Sequence, residues 1–422
     1  MSARLSYEAA TVGYPGVTVV HDATLGVAPG EVVGLIGPNG AGKSTLLRAV
    51  TGTARVAAGR ITLAGEPLEA LGPRDRARIV GVVPQQVTAA FSFSAREFVL
   101  MGRHPHLARL QHVGPSDVAL AERVMARTDT LRLADEPVDT LSGGDLQRLA
   151  LAQALAQEPS VLLLDEATSH LDLNHRLQVL DLVRELADGG LAVLAVFHDL
   201  DLAARFSDRL GVVAHGALGP VGPPAGVLTA QMLARVFGVR AVVGTDAVTG
   251  AVAVTPVLRE EAVTGTARGR VLVVGGSGTA AALLRRLHLA GYEVLAAALN
   301  HGDVDQAVAE ALALEHVELP AFGEVDAAAE AAVATMAARA DAVVVSEVPF
   351  GRANLGNLRA IRGAATRTVL VGEFGPGRDF SGGQATGLIG ELESAGAIRL
   401  ADAGAAEAEI ARISGERPES PR

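Results

Sequence analysis

The most constraining feature of the 422-residue sequence is a glycine-rich segment, Gly37-Pro-Asn-Gly-Ala-Gly-Lys-Ser44. The apolar run before it, residues 31–36, predicts a buried strand, and residues 45–50 predict a helix. Glycines in such a turn let backbone N–H groups surround phosphate oxygens at the positive end of the following helix. Of the 36 lysines and arginines, only Lys43 is a lysine, at the position where this pattern needs a compact ammonium group. The segment predicts an α/β core in which Lys43 reaches the β- and γ-phosphates and Ser44 binds Mg²⁺.

Length and composition exclude several other classes of protein. A chain of this length predicts two or three domains, and 49% apolar with 20% charged residues is typical of a globular protein. The net charge of −11 argues against a broad basic surface for nucleic acid. Because there is no cysteine, disulfides, zinc–thiolate sites and cysteine nucleophiles are excluded. The first residues lack the apolar run of a signal peptide, so we expect a cytoplasmic protein.

The longest stretch without Asp, Glu, Lys or Arg, residues 210–234, is not expected to cross a membrane. Its many glycines and prolines break a helix, so it predicts a strand and turns. Residues 1–255 read as an α/β domain with a helical subdomain at about 87–157, and residues 256–269 read as a linker. Strand and helix patterns alternate again after residue 270, with strands at 271–274, 292–299, 342–345 and 368–371. This alternation predicts a doubly wound domain over 270–405. Residues 406–422 are expected to form a flexible tail.

Two further segments carry functional groups in the first domain. Val161-Leu-Leu-Leu-Asp165-Glu166 is an apolar strand that ends in two carboxylates. In a nucleotide site Asp165 holds Mg²⁺ and Glu166 polarises the attacking water, although an acidic helix start after a core strand is the alternative. Leu141-Ser-Gly-Gly-Asp145 precedes a strong helical pattern and offers a hydroxyl and N–H groups at a helix N-terminus.

These three elements, in this order, resemble the ATP-binding cassette (ABC) ATPases over about residues 5–243. The resemblance implies a P-loop NTPase fold with a helical subdomain, followed here by the second, Rossmann-like α/β domain. It also implies ATP and Mg²⁺ as ligands, and two cassettes that enclose ATP between the P-loop of one and the Ser-Gly-Gly signature of the other.

The resemblance assigns roles to individual positions. Tyr14 matches the aromatic residue that stacks on adenine, although a loop tyrosine packed on the core is nearly as plausible. Gln85 matches the glutamine that senses Mg²⁺ and couples to the membrane partner, with Gln86 as the alternative. Ser169-His-Leu-Asp172 matches the loop that touches the opposite cassette, and His198 matches the histidine at the γ-phosphate, where it acts with Glu166 and Lys43. The implied ATP-binding residues are Tyr14, Gly37, Pro38, Asn39, Gly40, Ala41, Gly42, Lys43, Ser44, Thr45, Gln85, Ser142, Gly143, Gly144 and Asp172. The implied Mg²⁺ residues are Ser44, Gln85 and Asp165.

Two positions depart from the family pattern. Asp145 stands where the family usually has Gln or Glu, and Ala167 stands where Pro usually follows the catalytic glutamate. An aspartate suits the helix dipole but brings negative charge near a triphosphate. The departures put the rate of ATP hydrolysis in question, not its existence.

Other segments resemble one branch of the family, the importers of ferric siderophores, haem and cobalamin. They are Glu97-Phe-Val-Leu-Met-Gly-Arg-His-Pro-His-Leu107, Glu166-Ala-Thr-Ser-His-Leu-Asp172, Phe197-His-Asp-Leu-Asp-Leu-Ala-Ala204 and the stretch 223–239. This resemblance implies an ATPase subunit of an importer at the cytoplasmic face of the membrane. Its partners would be a second copy, two polytopic permease subunits and an extracytoplasmic binding protein, and not nucleic acid. The alternative is a soluble ABC protein that acts on ribosomes, DNA or cluster assembly.

The second domain contains Gly276-Ser-Gly278-Thr-Ala-Ala281, which fits G-x-G-x-x-A between a strand and a helix. The ribose-binding position holds Asn300, with Asp303 nearby, so dinucleotide binding is only one hypothesis. A bound corrinoid or nucleotide that regulates the cassette, and a structural lid, are equally plausible. For an enzymatic module that processes cobinamide or a nucleotide, the candidates are Asp303, Asp305 and Ser346.

Overall fold

The computed structural model describes residues 3–85, 92–108, 110–167, 171–246, 248–257 and 268–414. Within them the chain divides into two compact units. The first comprises residues up to Gly238 together with Val243–Thr255, and the second comprises Val239–Val242 and the described residues from Pro256 onward. Both units are α/β, as the sequence predicts.

The first unit is built on one mixed sheet. Its strands are β1 (Leu5–Tyr14), β2 (Val17–Val27), β3 (Val32–Ile36), β4 (Arg55–Leu63), β5 (Glu66–Pro67), β6 (Val80–Val83), β7 (Val161–Asp165), β8 (Ala192–Val196), β9 (Arg209–Ala214) and β10 (Ala217–Leu218). They lie in the order β5-β4-β1-β2-β10-β9-β3-β8-β7-β6. Strands β9, β3, β8, β7 and β6 are parallel, and every residue of β3 and β8 is buried. These short apolar strands need helices on both faces, which is why they read as continuous Val, Leu and Ala runs.

Helices cover this sheet and form the inserted helical part. They are α1 (Lys43–Thr51), α2 (Pro73–Ile79), α3 (Ala95–Leu100), α4 (Pro115–Arg127), α5 (Gly143–Leu155), α6 (Leu173–Asp188), α7 (Leu200–Phe206), α8 (Pro224–Val227) and α9 (Ala230–Phe237). Helix α5 packs against α3 and α4. The buried Arg103 joins this group because its guanidinium donates to Asp117 Oδ1 and to Glu158 Oε2, both at 2.9 Å.

The segment 210–234, predicted as strand and turns, contains the end of β9, β10, α8 and the start of α9. Helix α9 begins at an ordinary cap, where the Thr229 hydroxyl accepts from the Met232 N–H. In the part of the chain that the structure describes, no helix has the length and apolarity needed to span a bilayer.

The second unit has its own parallel sheet. After the paired strands β11 (Arg240–Thr245) and β12 (Val252–Val257), its strands are β13 (Arg270–Val274), β14 (Glu293–Asn300), β15 (Glu315–Leu319), β16 (Ala342–Val345), β17 (Thr368–Val371) and β18 (Ile398–Leu400). Its helices are α10 (Ala281–Leu289), α11 (Val304–Ala311), α12 (Ala327–Arg339), α13 (Leu355–Ala360), α14 (Gln384–Ser394) and α15 (Ala403–Ile413). The order β15-β14-β13-β16-β17-β18 is that of a doubly wound, Rossmann-like fold.

Alternate residues of the central strand β13 pack on opposite faces of this sheet. Val271 and Val273 join one apolar cluster with α10, α11 and α15, while Leu272 and Val274 join another with α12, α13 and α14. The sheet is therefore buried on both faces, which confirms the predicted fold class.

The flexible tail predicted from residue 406 is wrong for its first part. Residues 403–413 form α15, whose start is capped by Asp402, and both Ala406 and Ile410 are fully buried. The helix packs its apolar side on the sheet of the second unit, so this unit extends beyond residue 405. Residues 415–422 lie outside the described part, as does most of the predicted linker.

Candidate active site

The predicted site residues of the first unit follow four strands that are neighbours in its sheet. The glycine-rich segment follows β3, His198 follows β8, Asp165 and Glu166 end or follow β7, and Gln85 follows β6. Because these strands are parallel, their carboxyl ends meet at one edge of the sheet. The side chains that the sequence separates by more than a hundred positions are thereby brought together.

Two glycines allow the loop between β3 and α1 to close tightly. Gly37 has φ +148°, and a β-carbon there would lie 2.0 Å from the carbonyl oxygen of Val213. Gly42, at φ +107°, lies directly before α1, and a β-carbon there would lie 2.4 Å from Val20 Cγ2. Neither position tolerates a side chain, so these glycines are required by packing as well as by backbone conformation.

Lys43 is folded back over this loop. Its side chain is 4% exposed, and its Nζ donates to the carbonyl oxygens of Gly37 at 2.8 Å and Pro38 at 3.0 Å. Burial lowers the pKa of Lys43, while the nearby carboxylates of Glu166 and Asp165 oppose that shift. The ammonium group therefore lies inside a ring of loop backbone, within the field of two carboxylates.

Ser44 and Asp165 are in direct contact. The Ser44 hydroxyl, at the start of α1, donates to Asp165 Oδ1 at the end of β7 over 2.6 Å. A hydroxyl and a carboxylate are oxygen ligands of the kind that a hard divalent cation prefers. The structure brings together two of the three residues predicted for Mg²⁺.

Glu166 lies at the centre of the site. Gln85 Nε2 donates to its Oε2 at 2.6 Å, and His198 Nε2 lies 2.6 Å from its Oε1. The backbone of Glu166 is left-handed, with φ +54°, which turns its side chain out of the line of β7. The predicted histidine and the predicted glutamine thus each contact one carboxylate oxygen of the predicted base.

These residues line a cavity of about 350 Å³. Its walls include Lys43 and Ser44 from the loop, and Gln85, Glu166 and His198 from the other strand ends. Its size and its polar lining suit the phosphate groups of a nucleotide.

The sequence did not point to two of the residues at this edge. Val19, on β2, also lines the cavity. Arg48, on α1, donates from Nη1 to the Tyr14 hydroxyl at 3.3 Å, and this contact lowers the pKa of Tyr14. Both contacts arise from the packing of β1, β2 and α1, for which the sequence offered no local signal. Tyr14 does not line the cavity, and its stacking on adenine stays a prediction.

The predicted signature residues, Ser142, Gly143 and Gly144, lie at the start of α5, outside the walls of this cavity. The Ser142 hydroxyl caps the helix by accepting from the Asp145 N–H at 3.2 Å. A β-carbon on Gly144 would lie 3.4 Å from Cγ of the His175 ring, and His175 Nδ1 lies 2.8 Å from Asp172 Oδ2. Asp172 also caps α6, and its contacts with the N–H and the ring of His175 lower its pKa.

Some predicted positions lie outside the described residues. These are Gln86, the alternative to Gln85, and residues 168–170, which include Ser169 and His170 of the predicted contact loop.

In the second unit, the backbone N–H groups of its own glycine-rich loop, residues 276–281, donate to two carboxylates. Asp303 accepts from the N–H groups of Ser277 at 2.6 Å and Gly278 at 3.3 Å. Asp305 accepts from Gly276 at 2.7 Å and from Ala280 at 3.1 and 3.2 Å. The amides that a dinucleotide-binding loop offers to pyrophosphate are thus already bonded within the chain.

The remaining candidates of this unit also have internal partners. Asp305 is fully buried, and burial raises its pKa although the N–H donors from Ala280 and Gly276 oppose the shift. Asn300 donates to the carbonyl oxygens of Pro320 and Gly323, and the buried Ser346 hydroxyl lies 2.8 Å from that of Thr279. The geometry does not favour a dinucleotide at this loop.

Comparison with known proteins places the chain in a family. The family model described as ABC transporter matches residues 20–169, and a model described as MJ0874 family matches residues 294–406. A cobalamin import ATP-binding protein of Halobacterium salinarum is 41% identical over 361 residues, which cover 85% of this chain and 89% of that protein. A hemin import ATP-binding protein of Myxococcus xanthus is 47% identical over 223 residues, covering 51% of this chain and 83% of that protein.

A solved structure agrees with these matches. It is an ABC transporter of metal-chelate type in an inward-facing conformation, with a TM-score of 0.54 and 25% identity over 62% of this chain and 99% of that one. The glycine-rich loop after β3, Glu166 and His198 line one cavity, and Asp165, the last residue of β7, accepts from Ser44 of that loop. This chain belongs to the ATP-binding proteins of ABC transporters, and it is an ATPase of that family.

Proposed function

We propose that this chain is the ATPase subunit of an importer of a metal chelate, with cobalamin as the first candidate for its cargo. One observation carries the choice of cobalamin over haem. The match to the cobalamin import protein runs over 361 residues and is therefore longer than the whole first unit, so it includes part of the second. The match to the hemin import protein runs over 223 residues, a length that the cassette accounts for by itself.

The geometry of the site supports hydrolysis by the residues named above. Lys43 and the loop amides bind the phosphates, and His198 together with Lys43 stabilises negative charge on the γ-phosphate. Glu166 accepts a proton from the attacking water. Gln85 orients Glu166, because it donates to the carboxylate oxygen that His198 does not contact.

The residues present also fit a magnesium ion. Ser44 Oγ and Asp165 Oδ1 already meet, and Gln85 offers a further oxygen at the same edge. Among the described residues there is no cluster of three or more His, Asp or Glu that would form an all-protein metal site. This suits Mg²⁺, which is usually held by one or two protein groups together with substrate phosphates. When bound, the ion neutralises charge on the phosphates.

An ATP-binding protein of this family works with a membrane permease. We propose two copies of the chain beneath two permease subunits at the cytoplasmic face, supplied by an extracytoplasmic binding protein. In this arrangement Ser142, Gly143 and Gly144 of one copy, with Asp172 nearby, face the ATP held by the P-loop of the other. Closure around ATP is favoured because ATP contacts both copies only in the closed state.

Transport in the organism of origin tests the proposed cargo. The gene is deleted, and uptake of labelled cobalamin, haemin and a ferric siderophore is measured with the wild-type gene or Glu166→Gln returned. We expect loss of cobalamin uptake that only the wild-type gene restores. Loss of haemin or siderophore uptake with normal cobalamin uptake would replace cobalamin by that cargo, and normal uptake of all three would contradict the importer.

A further inference from the structure

Asp145 occupies the fifth position of the signature segment and faces the signature serine. We propose that Asp145 is a positioning residue that competes with ATP for the hydroxyl proton of Ser142, and so sets the ATP concentration at which two copies close. The inference rests on the proposed function, in which Ser142 of one copy contacts the ATP of the other.

The proposal rests first on the two hydrogen bonds between Ser142 and Asp145. Its hydroxyl donates to Asp145 Oδ2 at 2.6 Å, while its oxygen accepts from the Asp145 N–H at 3.2 Å. A serine hydroxyl has a single proton. In this arrangement the proton points at Asp145, so Ser142 offers a γ-phosphate only its oxygen. To donate to the phosphate, the hydroxyl has to leave Asp145.

The charge on Asp145 makes that exchange costly. Burial by itself raises the pKa of Asp145, but hydrogen bonds from Ser142 and Arg148 and the charge of Arg132 outweigh it and lower the pKa. The carboxylate is therefore ionised at neutral pH, and a hydrogen bond to an ionised acceptor is stronger than one to a neutral acceptor.

Two arginines hold the carboxylate in place. Arg148 Nη2 donates to Asp145 Oδ1 at 2.7 Å, and Arg132 Nη2 donates to the same oxygen at 2.9 Å. The Arg148 side chain is only 7% exposed, and its Nη1 lies 3.4 Å from Asp129 Oδ2. Because Oδ1 is taken by both arginines, Oδ2 stays directed at Ser142.

An amide at this position separates the two roles of the carboxylate. In Asp145→Asn the side chain keeps one acceptor oxygen for the arginines and turns an NH₂ group toward Ser142. The hydroxyl oxygen then accepts, and its proton is free for a γ-phosphate. Because no acceptor at position 145 then competes with ATP for that proton, the variant lacks one competing hydrogen bond, which corresponds to about a five-fold change in an equilibrium constant.

The test measures ATP-driven dimerisation of the full chain in the Glu166→Gln background, by light scattering across a range of ATP concentrations. We expect Asp145→Asn to lower the midpoint about five-fold. Asp145→Gln, which also lacks the carboxylate, is measured in parallel, so that one misfolded variant does not decide the outcome. In chains with Glu166 intact, the KM for ATP should fall in the same proportion without a rise in kcat.

Two further variants separate this role from a general effect of charge or packing. Asp129→Asn removes a carboxylate beside Arg148 that does not touch Ser142, and we expect it to leave the midpoint unchanged. Ser142→Ala should abolish the difference between Asp and Asn at position 145, since the coupling passes through the hydroxyl.

The outcomes distinguish a failure of this inference from a failure of the proposed function. If no variant dimerises with ATP, the enclosed ATP is wrong and this inference falls with it. If dimers form but the amide variants close at the wild-type concentration or above it, only the role of Asp145 is wrong. An equal shift in Asp129→Asn, or a shift that persists with Ser142→Ala, would also overturn it.

Discussion

At the scale of single residues, Glu166 has the most constrained geometry in the site. A left-handed backbone at a residue other than glycine costs about 1 to 3 kcal/mol and persists only where its surroundings enforce it. Here Gln85 and His198 each lie 2.6 Å from one of its carboxylate oxygens. The side chain is therefore held by groups from three strand ends together.

The role of Glu166 as a base predicts a specific loss. Glu166→Gln keeps the shape and a hydrogen-bonding group but removes the proton acceptor, so ATP should still bind while hydrolysis falls at least about 100-fold. Phosphate release and binding of a fluorescent ATP analogue measure the two effects separately. Asp181→Asn, an exposed change on α6, serves as the control and should have neither effect. Wild-type turnover in Glu166→Gln would remove Glu166 from this role.

The burial of Lys43 predicts that arginine cannot replace it. A guanidinium is larger and planar, and it does not fit where Nζ is bonded to the carbonyls of Gly37 and Pro38. We expect Lys43→Arg to weaken ATP binding at least about ten-fold through the loss of charge-assisted hydrogen bonds. Isothermal titration calorimetry measures the affinity. The exposed Arg60→Lys is the matched control, and equal affinity in Lys43→Arg would contradict the assignment.

Much of this residue pattern is readable from the sequence because each functional group directly follows a buried strand. Apolar runs reveal the strands, and parallel strands bring the groups that follow them to one edge. The contacts of Arg48 with Tyr14 and of Arg132 with Asp145 join different elements through tertiary packing, and no local pattern marks them. Arg148 and Asp145, in contrast, are an i,i+3 pair on α5, a spacing that the sequence does show. The sequence raised Asp145 only as a departure because its contact with Arg132 depends on packing.

At the scale of secondary-structure elements, the second unit caps its own helices with aspartates. Asp303 and Asp305 accept hydrogen bonds from the backbone N–H groups before α10. Asp326 caps α12. Asp379 accepts from Ser381 and from Thr386 near the start of α14. The hydrogen bonds from Ser381 and Thr386 hold the pKa of Asp379 far below its ordinary value. N–H groups at helix N-termini, which bind phosphate in related folds, thus donate here to carboxylates of the chain itself.

A buried cap should matter more than an exposed one. Asp305→Ala leaves the amides of Gly276 and Ala280 without an acceptor in a buried loop, and we expect a loss of about 2 to 4 kcal/mol in the free energy of unfolding. Asp326→Ala removes an ordinary cap from Ala329 and should cost about 1 kcal/mol. Denaturant unfolding of the full chain measures both. Equal losses would show that the glycine-rich loop does not depend on Asp305.

The elements that the sequence missed in this unit are at its edges. Strands β3 and β7 of the first unit and β16 and β17 of the second are short and almost wholly apolar, and the sequence predicts each to within a residue or two. Edge strands β15 and β18 are partly exposed and carry charged residues, so their pattern is weak. Helix α15 is rich in alanine and next to a polar terminus, and only its packing at Ala406 and Ile410 shows that it belongs to the unit.

At the scale of the whole molecule, the site described is only half of what hydrolysis needs in the proposed mechanism. The cavity holds the P-loop, Glu166 and His198, while Ser142 and Gly144 lie at the start of α5, outside its walls. A second copy of the chain would supply these residues to the first and receive the same in return. Two defects on different sides of the site should therefore complement each other only when they are carried by different chains.

This arrangement predicts recovery of activity on mixing two inactive variants. Lys43→Ala disables the P-loop, and Ser142→Arg places a long cation where the signature serine would meet ATP. A pair of identical variant chains has a defect in both of its sites. In a mixed pair, both defects fall in one site and leave the other intact, so the mixture should hydrolyse ATP although neither variant does so alone.

Mixing Lys43→Ala with a chain that carries both changes is the control, because that pair has no intact site. Activity in the first mixture and none in the control supports the shared site. Activity of Ser142→Arg by itself would mean that each chain hydrolyses ATP without a partner's signature. No activity in the first mixture, when ATP still binds Ser142→Arg, would contradict the claim that one intact shared site hydrolyses ATP.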